Sequence, residues 1–304
     1  MYDIIIVGGG PAGMTAALYA LRNGKSALVV ERTGFGGQIT HSPKVENYPG
    51  TKQMSGNEFA DKMLDQILAQ GAEIELENVV AVEDLGDHKV VRTEEGSAFE
   101  GKTVVLATGV KHRMLGLEGE QELVGEGISF CAVCDGDFYS GQKVCVAGGG
   151  NSALQEALLL SEKCSEVVIL QDLPALTGEK KLQEALAKRD NVRAICDTKI
   201  DALVTDGGAL KGVAISSRTT GETQTVACDG LFVAIGLIPE NGPFEALAVL
   251  NNWGYFDSGE DCQTKTPGVF VAGDCRSKGV RQLTTAVADG ATAALAACRY
   301  IDQQ

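Results

Sequence analysis

A chain of 304 residues, 44% hydrophobic and 22% charged, has the make-up of an ordinary globular protein of about two domains, which excludes a disordered or collagen-like chain. Its 26 Lys and Arg against 41 Asp and Glu leave a net charge of −15, which repels phosphate backbones and anionic lipid, so neither nucleic acid nor a membrane is expected as a partner. No apolar run approaches the ~20 residues that cross a bilayer, and no leader precedes the first strand, so the expectation is a cytoplasmic protein.

The opening YDIIIVGGGPAGMTAALYALRNGKSALVVER reads as strand, glycine turn, Ala-rich helix and second strand, a complete βαβ unit. Gly8 allows the tight turn, Gly10 lets backbone approach a pyrophosphate, and Gly13 lets helix pack on strand. Glu31 follows 21 residues after Gly10, where a carboxylate accepts ribose hydroxyls. A β-rich stretch then ends in KTVVLATGV, whose strand is expected to stop at Thr108-Gly109.

The pattern returns in KVCVAGGGNSALQEALLLSEKCSEVVILQ, where Gly148, Gly150 and Ala153 repeat the spacing. Here the neutral Gln171 stands at the ribose-reading position; an acid there reads NAD and nearby arginines read NADP. Two further buried strands follow in GLFVAIGLIP and GVFVAGD, and RQLTTAVADGATAALAACRYI has the character of a last helix. The fold class is therefore α/β, with two Rossmann-like nucleotide-binding domains.

Just ahead of the second unit, CAVCDGDFY sets Cys131 and Cys134 in a C-x-x-C, a spacing that permits a small disulfide ring which opens and closes without rebuilding the fold. Structural zinc needs four ligands, and no second close Cys or His pair exists, so no metal is assigned. Of the nine cysteines, Cys145, Cys164, Cys196, Cys228, Cys262 and Cys298 fall singly and read as buried inert thiols, as does Cys275.

GGGPAG, FGGQI, ENYPG, LATG, CAVCDG, GGGNSA, VFVAGDC and RQLTTAVADG, in this order, span essentially the whole chain, which thus resembles the low-molecular-weight thioredoxin reductases. The resemblance implies an FAD flavoenzyme, usually a homodimer, that reduces thioredoxin or a thioredoxin-like protein. It implies an FAD domain over 1–112 and 240–304, split by a pyridine-nucleotide-type domain over 113–239 that carries the dithiol. Gly8, Gly10, Ala12, Gly13 and Glu31 would hold the ADP part of FAD, with Gly37, Gln38, Asn47 and Thr108 toward the flavin half. Gly273 and Asp274 would meet the ribityl and pyrophosphate region, and Arg281, Gln282 and Ala286 would open the last helix, whose positive end favours reduced flavin. Cys134 would face the flavin, Cys131 would attack the partner disulfide, and Asp135 would shuttle the proton.

The chain departs from the family where members carry His-Arg-Arg and a further Arg for the 2′-phosphate of NADPH: here stand Gln171, Asp172, Leu173 and Thr177. The usual Ile-Gly-His is Ile235-Gly236-Leu237. A 2′-phosphate without cations loses charge-assisted bonds, so NADPH is not expected. NADH, with Asp172 reaching the ribose, and ferredoxin remain as donors. Oxidation of the dithiol by O₂ through the flavin and a non-enzymatic flavin redox sensor are the other readings, the sensor disfavoured because C-x-x-C with an adjacent Asp suits turnover.

Overall fold

The computed structural model describes residues 1–42 and 44–304. The chain divides into two units, Met1–Lys111 with Ile238–Gln304, and His112–Leu237. In the first, β1 (Tyr2–Val7), α1 (Pro11–Arg22) and β2 (Ala27–Glu31) form the opening βαβ. Ile4 to Val7 are buried, and Pro11 starts the helix, where its missing N–H would have had no partner. Helix α2 (Gly56–Ala69) begins on Ser55, whose hydroxyl accepts the Glu58 N–H at 3.0 Å.

Strands β3 (Glu73–Leu76), β4 (Val79–Asp84), β5 (Lys89–Thr93) and β6 (Ala98–Leu106) complete the first pass, in the order β3-β2-β1-β6-β5-β4. Val7 lies opposite both Val30 and Leu106, so β1, β2 and β6 end at one level beside the glycine turn. Strand β6 ends at Leu106 rather than Thr108-Gly109, because the Ala107 N–H still bonds Val7 while Thr108 turns its hydroxyl to Asn241.

The chain crosses on β7 (Lys111–His112) into the second unit, where β8 (Ile128–Ser129) leads into the short helix α3 (Ala132–Asp135). The second βαβ is β9 (Lys143–Ala147), α4 (Asn151–Ser161) and β10 (Glu166–Leu170). Helix α5 (Lys180–Leu186) and β11 (Val192–Ile195) follow, then an antiparallel sheet of β12 (Thr198–Asp206), β13 (Ala209–Ser217) and β14 (Thr223–Ala227). Strand β15 (Gly230–Val233) returns to a parallel sheet of order β11-β10-β9-β15-β8, with β8 on its edge, before β16 (Leu237–Ile238) carries the chain back.

In the first unit β17 (Val269–Val271) pairs parallel with β6, Val269 opposite Val104 and Val271 opposite Leu106. Helix α6 (Leu283–Asp302) opens on Gln282 as its cap, with Thr285 completing a capping box, so Arg281 and Gln282 precede the helix rather than begin it. Small residues bring α6 close to α1: Ala16, Ala17 and Ala20 share one core with Ala293, Ala294 and Ala297. At Gly290 a Cβ would lie 2.1 Å from the Ala12 carbonyl oxygen. Gly290→Ala should therefore destabilise the protein by about 1–3 kcal/mol through overpacking, read as a lower midpoint in chemical denaturation.

Candidate active site

In the first unit Gly8 turns with φ 111°, and a Cβ there would stand 2.3 Å from the Ala107 carbonyl oxygen. At Gly13 a Cβ would lie 1.9 Å from the Gly8 carbonyl oxygen, so helix and strand approach only without one. Gly10 ends the turn ahead of α1 with no side-chain cap, which leaves the helix N–H groups and its positive end free for an anion. Glu31 holds this turn from the end of β2: one carboxylate oxygen accepts the Gly9 N–H at 2.7 Å, the other the Thr33 N–H at 3.0 Å. Gly37 and Gln38 lie on the single turn Gly37–His41 that passes Gly10, and Asn47 donates to Gln282 at 3.2 Å.

The second half of this unit returns to the same turn. A Cβ on Gly273 would stand 2.8 Å from that of Ala12. Asp289 on α6 accepts the Gly273 N–H at 3.0 Å and takes Arg276 bidentately, both at 2.8 Å. Burial works to raise the Asp289 pKa, but Arg276 and Lys278 outweigh it and hold the carboxyl below its usual range. Asp274 is the opposite case: burial pushes its pKa up, and its Oδ1 is sealed from solvent without a hydrogen bond although Lys278 Nζ lies 3.2 Å away. Arg281 stands 4.2 Å over the Tyr255 ring and donates to the Asp274 carbonyl, while Ala286 sits half-buried on the first turn of α6.

Asn241, wholly buried, stitches three segments together. It donates to the carbonyls of Gly254 and Cys275, both at 2.9 Å, and accepts the Thr108 hydroxyl at 2.8 Å. Sequence reasoning missed Asn241, Arg276 and Asp289; the one clue was that an Asp at position 289 and an Arg at 276 are costly to bury unless they pair.

In the second unit Cys131 and Cys134 are joined in a disulfide with their Cα atoms 5.3 Å apart. Both are partly exposed, and Val133 between them is 55% exposed, so the ring is open to a partner. Cys131 Sγ accepts the Cys134 N–H at 3.2 Å, a contact that favours negative charge on that sulfur once the ring opens. Asp135 closes α3 and is buried; Ser129 donates its hydroxyl to Asp135 Oδ2 at 2.6 Å and accepts the Cys131 N–H at 3.1 Å. Burial raises the Asp135 pKa, with the Ser129 bond opposing. A carboxyl so placed holds a proton more strongly than an exposed one.

At the second glycine turn Gly148 has φ 122°, and Ala153 is buried beneath it. Gln171 is buried against Gly149, its side chain bonding Ala175 O and Asp172 N–H. Thr177 donates to the Gly149 carbonyl. Asp172 is not free: Arg218, from the turn after β13, lies 3.4 Å away. Among the thiols, Cys145 and Cys228 share one core, where Cys228 and burial push the Cys145 thiol up, and Cys196 is half-exposed rather than buried. No group of three or more His, Cys, Asp or Glu among the described residues could hold a metal, and no helix among them is long and apolar enough to cross a membrane.

Residues 2–290 match the family model of the pyridine nucleotide-disulphide oxidoreductases. The thioredoxin reductase of Listeria monocytogenes is 37% identical over 100% of this chain and 95% of its own length. A Clostridium pasteurianum relative named as the 34.2 kDa protein in the rubredoxin operon is 40% identical, covering 98% of this chain and 97% of its own. The crystal structure of the Streptococcus pyogenes thioredoxin reductase superposes with a TM-score of 0.94 at 38% identity, over 100% of this chain and 99% of that one. This chain accordingly belongs to the pyridine nucleotide-disulphide oxidoreductase family, in its branch of low-molecular-weight thioredoxin reductases.

Proposed function

We propose that the protein is a flavin-dependent reductase of thioredoxin or a thioredoxin-like protein, working through Cys131 and Cys134 and drawing its electrons from a donor other than NADPH. The observation that carries this is the open disulfide with a buried, Ser129-held Asp135 beside it, in a chain that thioredoxin reductases match from end to end. Gly8, Gly10, Ala12, Gly13 and Glu31 fit the ADP part of FAD. Gly37, Gln38, Asn47, Thr108, Gly273, Asp274, Arg281, Gln282 and Ala286 fit the remainder, and Asp274 Oδ1, sealed from solvent with no hydrogen bond of its own, suits a hydroxyl-bearing chain. When bound, FAD supplies the two-electron reduction of the disulfide.

Two electrons and two protons turn the Cys131–Cys134 disulfide into a dithiol. Cys131, as thiolate, attacks one sulfur of the partner disulfide, and the departing partner thiolate takes a proton from Asp135. Cys134 then attacks Cys131 Sγ, which re-forms the ring and releases the partner's second sulfur; the two protons given up by the cysteines pass through solvent, one to that sulfur and one back to Asp135, so the partner leaves as a dithiol. Cys131 is favoured as the attacking sulfur because it already holds the Cys134 N–H.

Replacing Cys134 by Ser should abolish thioredoxin reduction and leave the protein yellow; full activity in that variant would overturn the assignment. Asp135→Asn should slow thiol exchange by ~10² while flavin bleaching by the donor keeps its rate, checked by stopped flow under conditions where exchange limits.

Two donors fit the second glycine turn. NADH is supported by the Gly148, Gly150 and Ala153 spacing; a protein donor such as ferredoxin is supported by the engagement of Gln171 and Asp172 with their own neighbours. NADPH lacks cations, since Arg218 is already paired and each lost charge-assisted contact weakens binding by roughly tenfold. Anaerobic bleaching with NADH, NADPH and reduced ferredoxin side by side should show NADPH at least ~10-fold poorer than the best donor; a micromolar NADPH Michaelis constant with ordinary turnover would overturn this.

A further inference from the structure

Helix α4 carries a second acid that the reaction as drawn does not use. Helix α3 packs on α4, and the Glu156 carboxyl of α4 meets the backbone of α3 at Ala132. Its Oε2 is sealed from solvent and has no hydrogen-bond partner, and the same holds for Oδ1 of Asp135. Asp274, in the other unit, supplies the third such oxygen among the described residues. The backbone N–H of Ala132, between the two cysteines, lies against the Glu156 carboxyl and favours its charge. Two incompletely satisfied carboxyls therefore meet one turn of backbone, the turn that carries the disulfide.

We propose that Asp135 and Glu156 form a carboxyl pair that stores one proton beside the dithiol at neutral pH, Asp135 delivering it to the departing thiolate and Glu156 acting through Asp135 as its store. The inference rests on the dithiol reading of Cys131 and Cys134. Its proton balance is simple: the pair gives up one proton when a partner sulfur leaves as thiolate, and solvent returns it before the next exchange. Two neighbouring acids in a sealed setting resist double ionisation, so the last proton belongs to the pair rather than to either residue.

The electrostatics agree with the geometry. Burial, opposed by the Ala132 N–H and reinforced by the charge of Asp135, pushes the Glu156 carboxyl up to about 8, so it is neutral at pH 7. Among the described residues, Asp135 is the charged side chain that pushes it further up. Of the other elements on α4, α5 carries Lys180, Lys181 and Glu184, all exposed, β9 carries Lys143 and the neutral thiol Cys145, and β10 carries Glu166, which pairs with Lys143 and Arg193. Facing Asp135, Tyr139 stays a neutral phenol, pushed up to about 12 by burial and by Asp135 itself.

The test uses the FAD-loaded protein, Glu156→Gln, Asp135→Asn and the double variant. Infrared spectra of the oxidised parent should show a protonated-carboxyl band at pH 7 that fades through about pH 8 and is missing in E156Q. Where thiol exchange limits turnover, activity of E156Q should fall away with rising pH on the order of one unit earlier than in the parent. In the Asp135→Asn background the Gln substitution should change nothing further, which separates action through Asp135 from a general loosening of α4. No Glu156-dependent band at pH 7, superimposable pH profiles, or an equal shift with and without Asp135 would each overturn the proposal. A Glu156-dependent band in a parent that does not reduce thioredoxin would instead overturn the functional reading and leave the stored proton standing.

Discussion

The bidentate pair between Asp289 and Arg276 is the constraint on which the first unit turns. The chain leaves this unit at Lys111 and comes back at Ile238, so its last residues must find the first without chain neighbours to guide them. Burial of β17 on β6 and of α6 on α1 supplies the driving force, but apolar contacts alone leave the end of β17 free to slide. Asp289 removes that freedom, since one oxygen binds Arg276, Lys278 and the Gly273 N–H together. Breaking a buried pair of this kind by removing one partner costs about 3–5 kcal/mol, far more than the pair itself contributes. What the arrangement secures is therefore position: it fixes the turn from which Asp274 is presented.

The two units treat the same residue type in opposite ways. Asp289 is surrounded by cations and a backbone N–H, which keep it ionised despite burial. Asp135 is held by the Ser129 hydroxyl, which opposes burial but does not outweigh it, so its proton affinity rises. The first environment makes a fixed structural charge, the second a carboxyl of raised proton affinity next to the disulfide. Ser129 serves two ends from the edge strand β8, orienting the Asp135 carboxyl with its proton and receiving the Cys131 N–H with its lone pair. A single hydroxyl thus ties the disulfide to its acid.

What was legible in the sequence follows from range. The glycine turns, the strands beside them and the Cys131–Cys134 spacing are local, and each is dictated by sterics or ring size within a few residues. Ser129 and Glu156 escaped notice because nothing near them in sequence marks a Ser before a cysteine or a Glu within a leucine-rich helix as polar partners of Asp135. Asn241 joins Thr108 to Cys275, segments that lie 133 and 34 residues from it. Arg218 meets Asp172 only because the hairpin of β13 and β14 brings it back across 46 residues. The Cys145 and Cys228 thiols meet for the same reason, through the parallel pairing of β15 with β9. Long-range polar contacts of this type have no periodicity to betray them.

The glycines themselves divide into those the fold needs and those it does not. A Cβ at Gly148 would stand 2.5 Å from the Ala234 carbonyl oxygen, one at Gly149 2.5 Å from Gln171, and one at Gly178 2.5 Å from Leu154, so packing alone demands all three. They carry no information about a ligand. Gly10 and Gly150 are different. Their backbones are ordinary extended ones, with φ of −76° and −83°, which any residue adopts. A Cβ at Gly10 would meet nothing within 4 Å, and one at Gly150 would meet Thr177 Oγ1 at 4.0 Å. Neither strain nor crowding within the protein requires glycine at these two sites, each of which stands at a helix N-cap without a side-chain cap bond. The missing Cβ makes room instead for something that approaches the backbone from outside, and at a helix N-terminus that something is an anion. By this argument the second turn, like the first, keeps room at its helix N-terminus for an anion that meets the backbone directly, while Asp172 beyond it faces Arg218.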